Sequence, residues 1–256
     1  MMKRGVLIIS HGSRNRRWID AVDSLLAQVQ TNVVLEAVFL DKVEKRTIEA
    51  GIRRLEADGV QEILAVPLFV SDGSTHLSEI RYVLGLDEAA AIETDLKPIP
   101  SQARIVWGRP MNDHPLVYDI LRDRIRALST HPEDEVLLLV AHGSDTAGFA
   151  ERWQRMLGQL SAELRRELGL RGASYATIHP DTVARRARVL ARKNQVLVVP
   201  LFVSPGYYTE KAIPERLRGI AHRYDGAAYL PDSRVAQWIE NSIAEWLTAA
   251  SCPQEQ

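Results

Sequence analysis

The sequence predicts an α/β protein built from two doubly wound, parallel-sheet lobes related by internal duplication. Apolar runs of strand length alternate with helix-length amphipathic segments along the chain. The strand runs are continuously apolar, as in Ile63-Leu64-Ala65-Val66-Pro67-Leu68-Phe69-Val70, which suits a sheet covered by helices on both faces. The series then begins again. Residues 137–144, Leu-Leu-Leu-Val-Ala-His-Gly-Ser, repeat residues 6–13, Val-Leu-Ile-Ile-Ser-His-Gly-Ser, and residues 197–204 repeat 64–71. The offsets are 131 and 133 residues, so both repeats fall in one frame within a small indel; that is a long-period repeat of a whole domain.

The elements follow in order. A strand at 6–9 leads to a helix over about 17–29, and a strand at 33–40 to a helix over about 45–57. The strand at 63–70 precedes a helix near 76–84, and the strand at 103–107 precedes a helix at 114–128. Strands separated by helices of this length make parallel βαβ units with right-handed crossovers. Residues 87–102, with acidic residues, alanines and two prolines, read as a surface excursion inside the first lobe. The polar, proline-containing stretch 129–134 is the expected seam, giving lobes at 1–131 and 132–256. The tail from residue 250 should fray.

Composition narrows the function. The chain has 256 residues, 46% hydrophobic and 25% charged, with a formal net charge of -1. No global field draws nucleic acid. One cysteine, Cys252, allows no internal disulfide and no cysteine-rich zinc or iron–sulfur site, which fits a reducing cytoplasm. The N-terminal apolar run is too short for a signal peptide or a membrane span. Neither a G-x-x-x-x-G-K-[ST] loop nor a G-x-G-x-x-G turn occurs, so no nucleotide is expected.

Ligands of a doubly wound sheet bind beyond the carboxyl ends of its strands, where strand order reverses. In a flavodoxin-like order that point lies between the first and third strands. The loops there are Ser10-His11-Gly12-Ser13-Arg14 and Ser71-Asp72-Gly73-Ser74-Thr75-His76. Histidines 65 residues apart in sequence should therefore converge. Near-neutral imidazoles suit metal ligation and proton transfer, although either histidine alone also reads as a cap or loop residue. Glu79 shares a helical face with His76. It reads as a second ligand, an orienter of the imidazole, a proton acceptor, or simply an acidic residue favoured by the helix dipole. Asp41 ends the second strand on the same rim, where it would load a cation or cap a turn. Arg14, Arg16 and Arg17 could fork onto substrate carboxylates or form a solvated helical turn. In the second lobe His142 matches His11, but Thr209 stands where His76 stood, and His179 ends the strand corresponding to the one before Asp41. The first lobe is expected to carry the chemistry. His114, at a helix start, reads as structural.

At these residues the chain resembles the sirohydrochlorin chelatases, the cobalt- and iron-inserting class II chelatases. The resemblance rests on Ser10-His11-Gly12-Ser13-Arg14, Phe39-Leu40-Asp41, Val66-Pro67-Leu68-Phe69-Val70 with Gly73 and His76, and the segment from Gly108 to Pro115. It covers nearly the whole chain in its long, two-lobed form. It implies two flavodoxin-like, chelatase-like lobes with a tetrapyrrole between them and a divalent metal (Co2+ or Fe2+) as substrate; duplication within one chain removes the need for dimerisation without forbidding it, so a monomer or homodimer is expected. His11, His76 and Asp41 would meet the metal; His11, His76 and Glu79 would act in catalysis; Ser13, Arg14, Tyr207 and Tyr208 would contact the tetrapyrrole. The aromatic pair could equally be packing residues. The chain departs from the family pattern at His76-Leu77-Ser78-Glu79, which lacks the usual basic residue, and at Asp41, where glutamate is usual. A carrier of metal or tetrapyrrole without turnover is the main alternative. A phosphohistidine enzyme is disfavoured because Ser10, not arginine, precedes His11.

Overall fold

The apolar run before His11 forms the central strand β1 (Arg4–Ser10), whose last six residues are buried. In the computed structural model, which describes residues 2–13 and 15–249, β1 is followed by α1 (Arg16–Leu26), β2 (Val34–Phe39), α2 (Ile48–Ala57), β3 (Glu62–Pro67), α3 (Thr75–Val83), β4 (Arg104–Trp107) and α4 (Pro115–Leu128). Arg14 and the tail with Cys252 lie outside the described residues. The series resumes with β5 (Glu135–Gly143), α5 (Phe149–Leu168), β6 (Gly172–His179), α6 (Val183–Ala191), β7 (Gln195–Leu201), α7 (Ile213–Arg216), β8 (Arg223–Tyr224) and α8 (Arg234–Ala249). The sheets run β2-β1-β3-β4 and β6-β5-β7-β8, all parallel. Both reverse strand order beside their first strand, as the duplicated doubly wound fold requires.

Several element ends differ from the sequence expectation by one to three residues, and three of these differences have a clear local reason. α2 starts at Ile48 because Lys45 sits at φ 66, outside helical space, and the Thr47 hydroxyl caps by accepting from the Ala50 N–H at 3.2 Å. β3 stops at Pro67 because the chain folds back at once: Phe69 N–H donates to Pro67 C=O at 2.9 Å, the three-residue turn common at strand ends. α1 begins at Arg16 because Asn15 caps it, its side chain accepting from Arg17 N–H at 3.1 Å. His114 does cap α4, its ring nitrogen accepting from Leu116 N–H at 3.2 Å.

Among the described residues, one compact unit is drawn from 2–13, 15–69, 75–110 and 235–249, and the other from 70–74 and 111–234. The expected boundary at 131/132 thus separates the sheets but not the units. α4 precedes that boundary, yet it belongs to the second unit. There Arg124 donates to Pro200 C=O at 3.0 Å, and Tyr118 OH donates to Glu167 at 2.6 Å. α8, at the far end of the chain, belongs to the first. Arg4 lies 5.6 Å over the Trp246 ring, and Gln30 N–H donates to Glu240 at 2.7 Å. Each unit has its own apolar core. Leu7, Val38, Ile52, Ile63 and Ile80 fill the first; Leu138, Val140, Ile178, Val198 and Ile213 fill the second.

Buried carboxylates tie strands at their amino ends. Glu62, fully buried, pairs with Arg4 at 3.0 Å and with Arg104. Glu135 accepts from the Ser129 hydroxyl, from Thr130 N–H at 2.9 Å and from Arg223 at 2.7 Å. Burial alone would push the Glu135 carboxyl up, but these donors outweigh it and hold it below its ordinary value. The carboxyl ends are left for other work.

Candidate active site

The end of β1 is stitched to the end of β2. Leu40 N–H donates to Ser10 C=O at 2.9 Å and Asp41 N–H to His11 C=O at 3.2 Å. Gly12 makes this possible: at φ +95, a Cβ there would stand 2.0 Å from the Asp41 carbonyl oxygen. The stitch sets Asp41 Oδ1 3.6 Å from His11 Nδ1. The nearer partner of that nitrogen is the Gly12 carbonyl at 3.0 Å. A carbonyl only accepts, so Nδ1 carries the hydrogen and a neutral His11 keeps its lone pair on Nε2.

His76 sits in the first turn of α3. Its ring meets that of His11 edge to face, with centroids 4.3 Å apart and planes at 72°. Its Nδ1 lies 2.8 Å from Glu79 Oε2, so the carboxylate accepts the Nδ1 hydrogen and the lone pair of a neutral ring again falls on Nε2. The other Glu79 oxygen accepts from the Thr94 hydroxyl at 3.1 Å. Thr94 belongs to the excursion after α3, which is pinned back by Arg81–Asp87 contacts of 2.6 and 2.7 Å and by Ile99 N–H donating to Val83 C=O at 2.8 Å. Sequence reasoning did not find Thr94, because nothing in an irregular segment indicates which hydroxyl folds back onto a helix.

Burial, with the neighbouring His76 adding to it, lowers the His11 pKa below its ordinary 6.5 despite the Gly12 hydrogen bond. At neutral pH the ring therefore presents a lone pair rather than a charge. Two imidazole nitrogens about 2.1 Å from one cation are compatible with rings this close. Among the described residues, no group of three or more His, Cys, Asp or Glu side chains forms a ready-made metal cage. The arrangement is an open two-imidazole site, with each ring backed by a carboxylate.

The other expected residues are placed as follows. Asp41 stands on the Nδ1 side of His11, and its second oxygen is 3.1 Å from Lys42 Nζ. Ser13 is used locally, its hydroxyl accepting from Asn15 N–H at 3.0 Å. Arg14 lies outside the described residues. Arg16 reaches Asp20 at 3.5 Å on the exposed face of α1. In the second unit Tyr207 is 66% exposed. Tyr208 stacks on Phe202 with centroids 5.3 Å apart. Thr209, at the position matching His76, is buried and closes a turn, its hydroxyl accepting from Gly206 N–H at 3.0 Å.

The CbiX family model matches residues 5–128 and again 136–245, one match for each half of the duplication. The sirohydrochlorin cobaltochelatase of Methanosarcina acetivorans is 30% identical over 129 residues, which is 48% of this chain and 95% of that protein. A protein of Halobacterium salinarum described as a probable sirohydrochlorin cobaltochelatase is 25% identical over 234 residues, covering 83% of this chain and 76% of its own. Among solved structures, SirB from Bacillus subtilis with Fe3+ superposes with a TM-score of 0.71 at 17% identity, covering 95% of both chains. CbiX, described as the terminal enzyme for biosynthesis of siroheme in denitrifying bacteria, superposes at 0.60 with 23% identity, covering 97% of this chain and 100% of its own. The structural likenesses establish the fold, and the family match, which spans both halves, establishes the kinship: this chain belongs to the CbiX family.

Proposed function

We propose that the protein is a sirohydrochlorin chelatase, a lyase-class enzyme that inserts a divalent metal, cobalt or iron, into sirohydrochlorin without a nucleotide. The single observation that carries the mechanism is the His11–His76 pair, whose Nδ1 hydrogens are both committed to acceptors so that each neutral ring keeps its lone pair on Nε2.

Insertion exchanges one divalent cation for two pyrrole N–H protons. Two imidazoles match that count. Each Nε2 can hold the incoming cation while its water is stripped. Each can then take a proton as the cation passes to the ring nitrogens. Glu79 beside His76, and Asp41 behind His11, stabilise the imidazolium that results, as a carboxylate does for a metal-bound histidine. The lowered His11 pKa keeps that ring in its ligand form until the metal has left. In this reading His11, His76 and Glu79 carry catalysis, and Asp41 assists loading through His11. Ser13, Arg14, Tyr207 and Tyr208 are the proposed contacts of the tetrapyrrole. Among the described residues no helix is long and apolar enough to cross a membrane, which accords with work in the cytoplasm.

Insertion kinetics followed by absorbance test this, using cobalt, iron and nickel with wild type, His11→Ala and His76→Ala. Near-complete loss of turnover in both variants, with melting temperature unchanged, is expected. Wild-type rates in either variant reject the assigned roles, and metal or tetrapyrrole binding without turnover in the wild type identifies a carrier instead.

A further inference from the structure

We propose that the second unit carries its own binding site for a divalent transition-metal cation, formed by His142 and His179. The proposal concerns metal binding alone and stands apart from the reading of the first unit.

The geometry repeats the essentials of the His11 site with different residues. His142 is the penultimate residue of β5, much as His11 directly follows β1, and its Nδ1 lies 3.0 Å from the Gly143 carbonyl, the same distance as from His11 to Gly12. The carbonyl again fixes the hydrogen on Nδ1 and makes Nε2 the ring's acceptor nitrogen. Gly143, at φ +77, is required for the same reason as Gly12: a Cβ there would stand 2.1 Å from the His179 carbonyl oxygen. That approach draws the end of β6 against the end of β5, where Gly143 pairs with His179 in register. The His142 and His179 rings come to 4.8 Å between centroids, with planes at 38°. His179 is backed by a carboxylate, with its Nδ1 3.5 Å from Asp145 Oδ2, as His11 is backed by Asp41.

The partner histidine has changed strands. In the first unit it comes from the helix after β3; here it comes from the end of β6, and Thr209 at the old position is spent on a turn. His142 is exposed and His179 half-exposed at the sheet's carboxyl rim, where a cation can reach both from solvent. The Tyr208 hydroxyl lies 3.3 Å from His142 Nε2, where it donates to the lone pair a cation would use. A cation has to displace that hydroxyl, which can turn to water. Two imidazole nitrogens with water completing the coordination favour Co2+, Ni2+ or Zn2+ over hard oxygen-seeking cations. They hold such an ion loosely and exchangeably, since a closed site takes four protein ligands.

Equilibrium dialysis with Co2+ alone tests this on the full-length double variant His11→Ala/His76→Ala, with melting temperature as the fold control. Retention of one Co2+ per chain is expected. Adding His142→Ala or His179→Gln should weaken that binding at least about tenfold. Adding Tyr208→Phe, which removes the competing donor, should tighten it by about two- to tenfold. A double variant that binds no Co2+, or one whose Co2+ is indifferent to His142→Ala and His179→Gln, overturns the proposal. Co2+ affinity unchanged or lowered by Tyr208→Phe overturns the tyrosine's part in it.

Discussion

Glu79 reaches in two directions, to His76 Nδ1 at 2.8 Å and to the Thr94 hydroxyl at 3.1 Å. A residue serving only the helix dipole needs neither contact. The carboxylate fixes the tautomer of His76 and sets a negative charge against its ring. Glu79→Gln separates these effects. The amide oxygen can still accept the Nδ1 hydrogen, but the charge that supports an imidazolium is gone. The turnover number for insertion should fall about 10- to 100-fold while the unfolding stability stays within about 1 kcal/mol of wild type. A variant that turns over like wild type would return Glu79 to a structural role. At this scale the sequence made His11 and His76 legible, because each closes a recognisable strand-to-helix loop and the topology dictates where such loops meet. It could not assign Asp41 to the Nδ1 side of His11, since that depends on a backbone stitch and not on side-chain type.

At the scale of elements, the His-Gly pairs after β1 and β5 are backbone devices as much as chemical ones. Gly12 and Gly143 let neighbouring strand ends approach within a distance that no Cβ permits. Each also adopts a positive φ that costs an L-residue about 1–2 kcal/mol. Gly12→Ala should therefore lower unfolding stability by about 2–4 kcal/mol in a denaturant titration, and should weaken metal binding by moving His11 off Asp41. Gly5→Ala is a useful comparison. The nearest neighbours of its Cβ would be the methyl groups of Leu55 and Val60, at 3.1–3.2 Å, which can yield, so it should cost less. Equal losses in the two variants would show that the tight approach at Gly12 is not the source of the effect. The alternation of apolar runs revealed every strand of the first sheet, but not where β3 ends or α2 begins. Those limits come from a tight turn after Pro67 and a left-handed Lys45, neither of which alters the hydrophobic pattern.

For the whole molecule, the duplication seen in the sequence describes the sheets more faithfully than the compact units. Hydrophobic periodicity says that α4 and α8 each have an apolar face; it does not say which sheet that face will cover. The chain gives α8, its last described element, to the unit that holds its first strand. Trp246, 7% exposed, lies under the Arg4 guanidinium at the start of β1. The stability of the first sheet should therefore depend on residues more than 200 positions away, while the sheet nearer in sequence should be indifferent to them. Trp246→Ala removes a large buried ring, with an expected cost of about 3 kcal/mol. Native-state hydrogen exchange locates that cost. The amides of β1, paired on both sides in the middle of the first sheet, should lose protection, whereas those of β5, equally central in the second, should keep theirs. Loss confined to β5 would mean that the last helix serves the sheet it follows. The His11 loop grows directly out of β1, so the first outcome carries a further consequence: metal binding at His11 should weaken in a variant whose substitution lies at the opposite end of the chain.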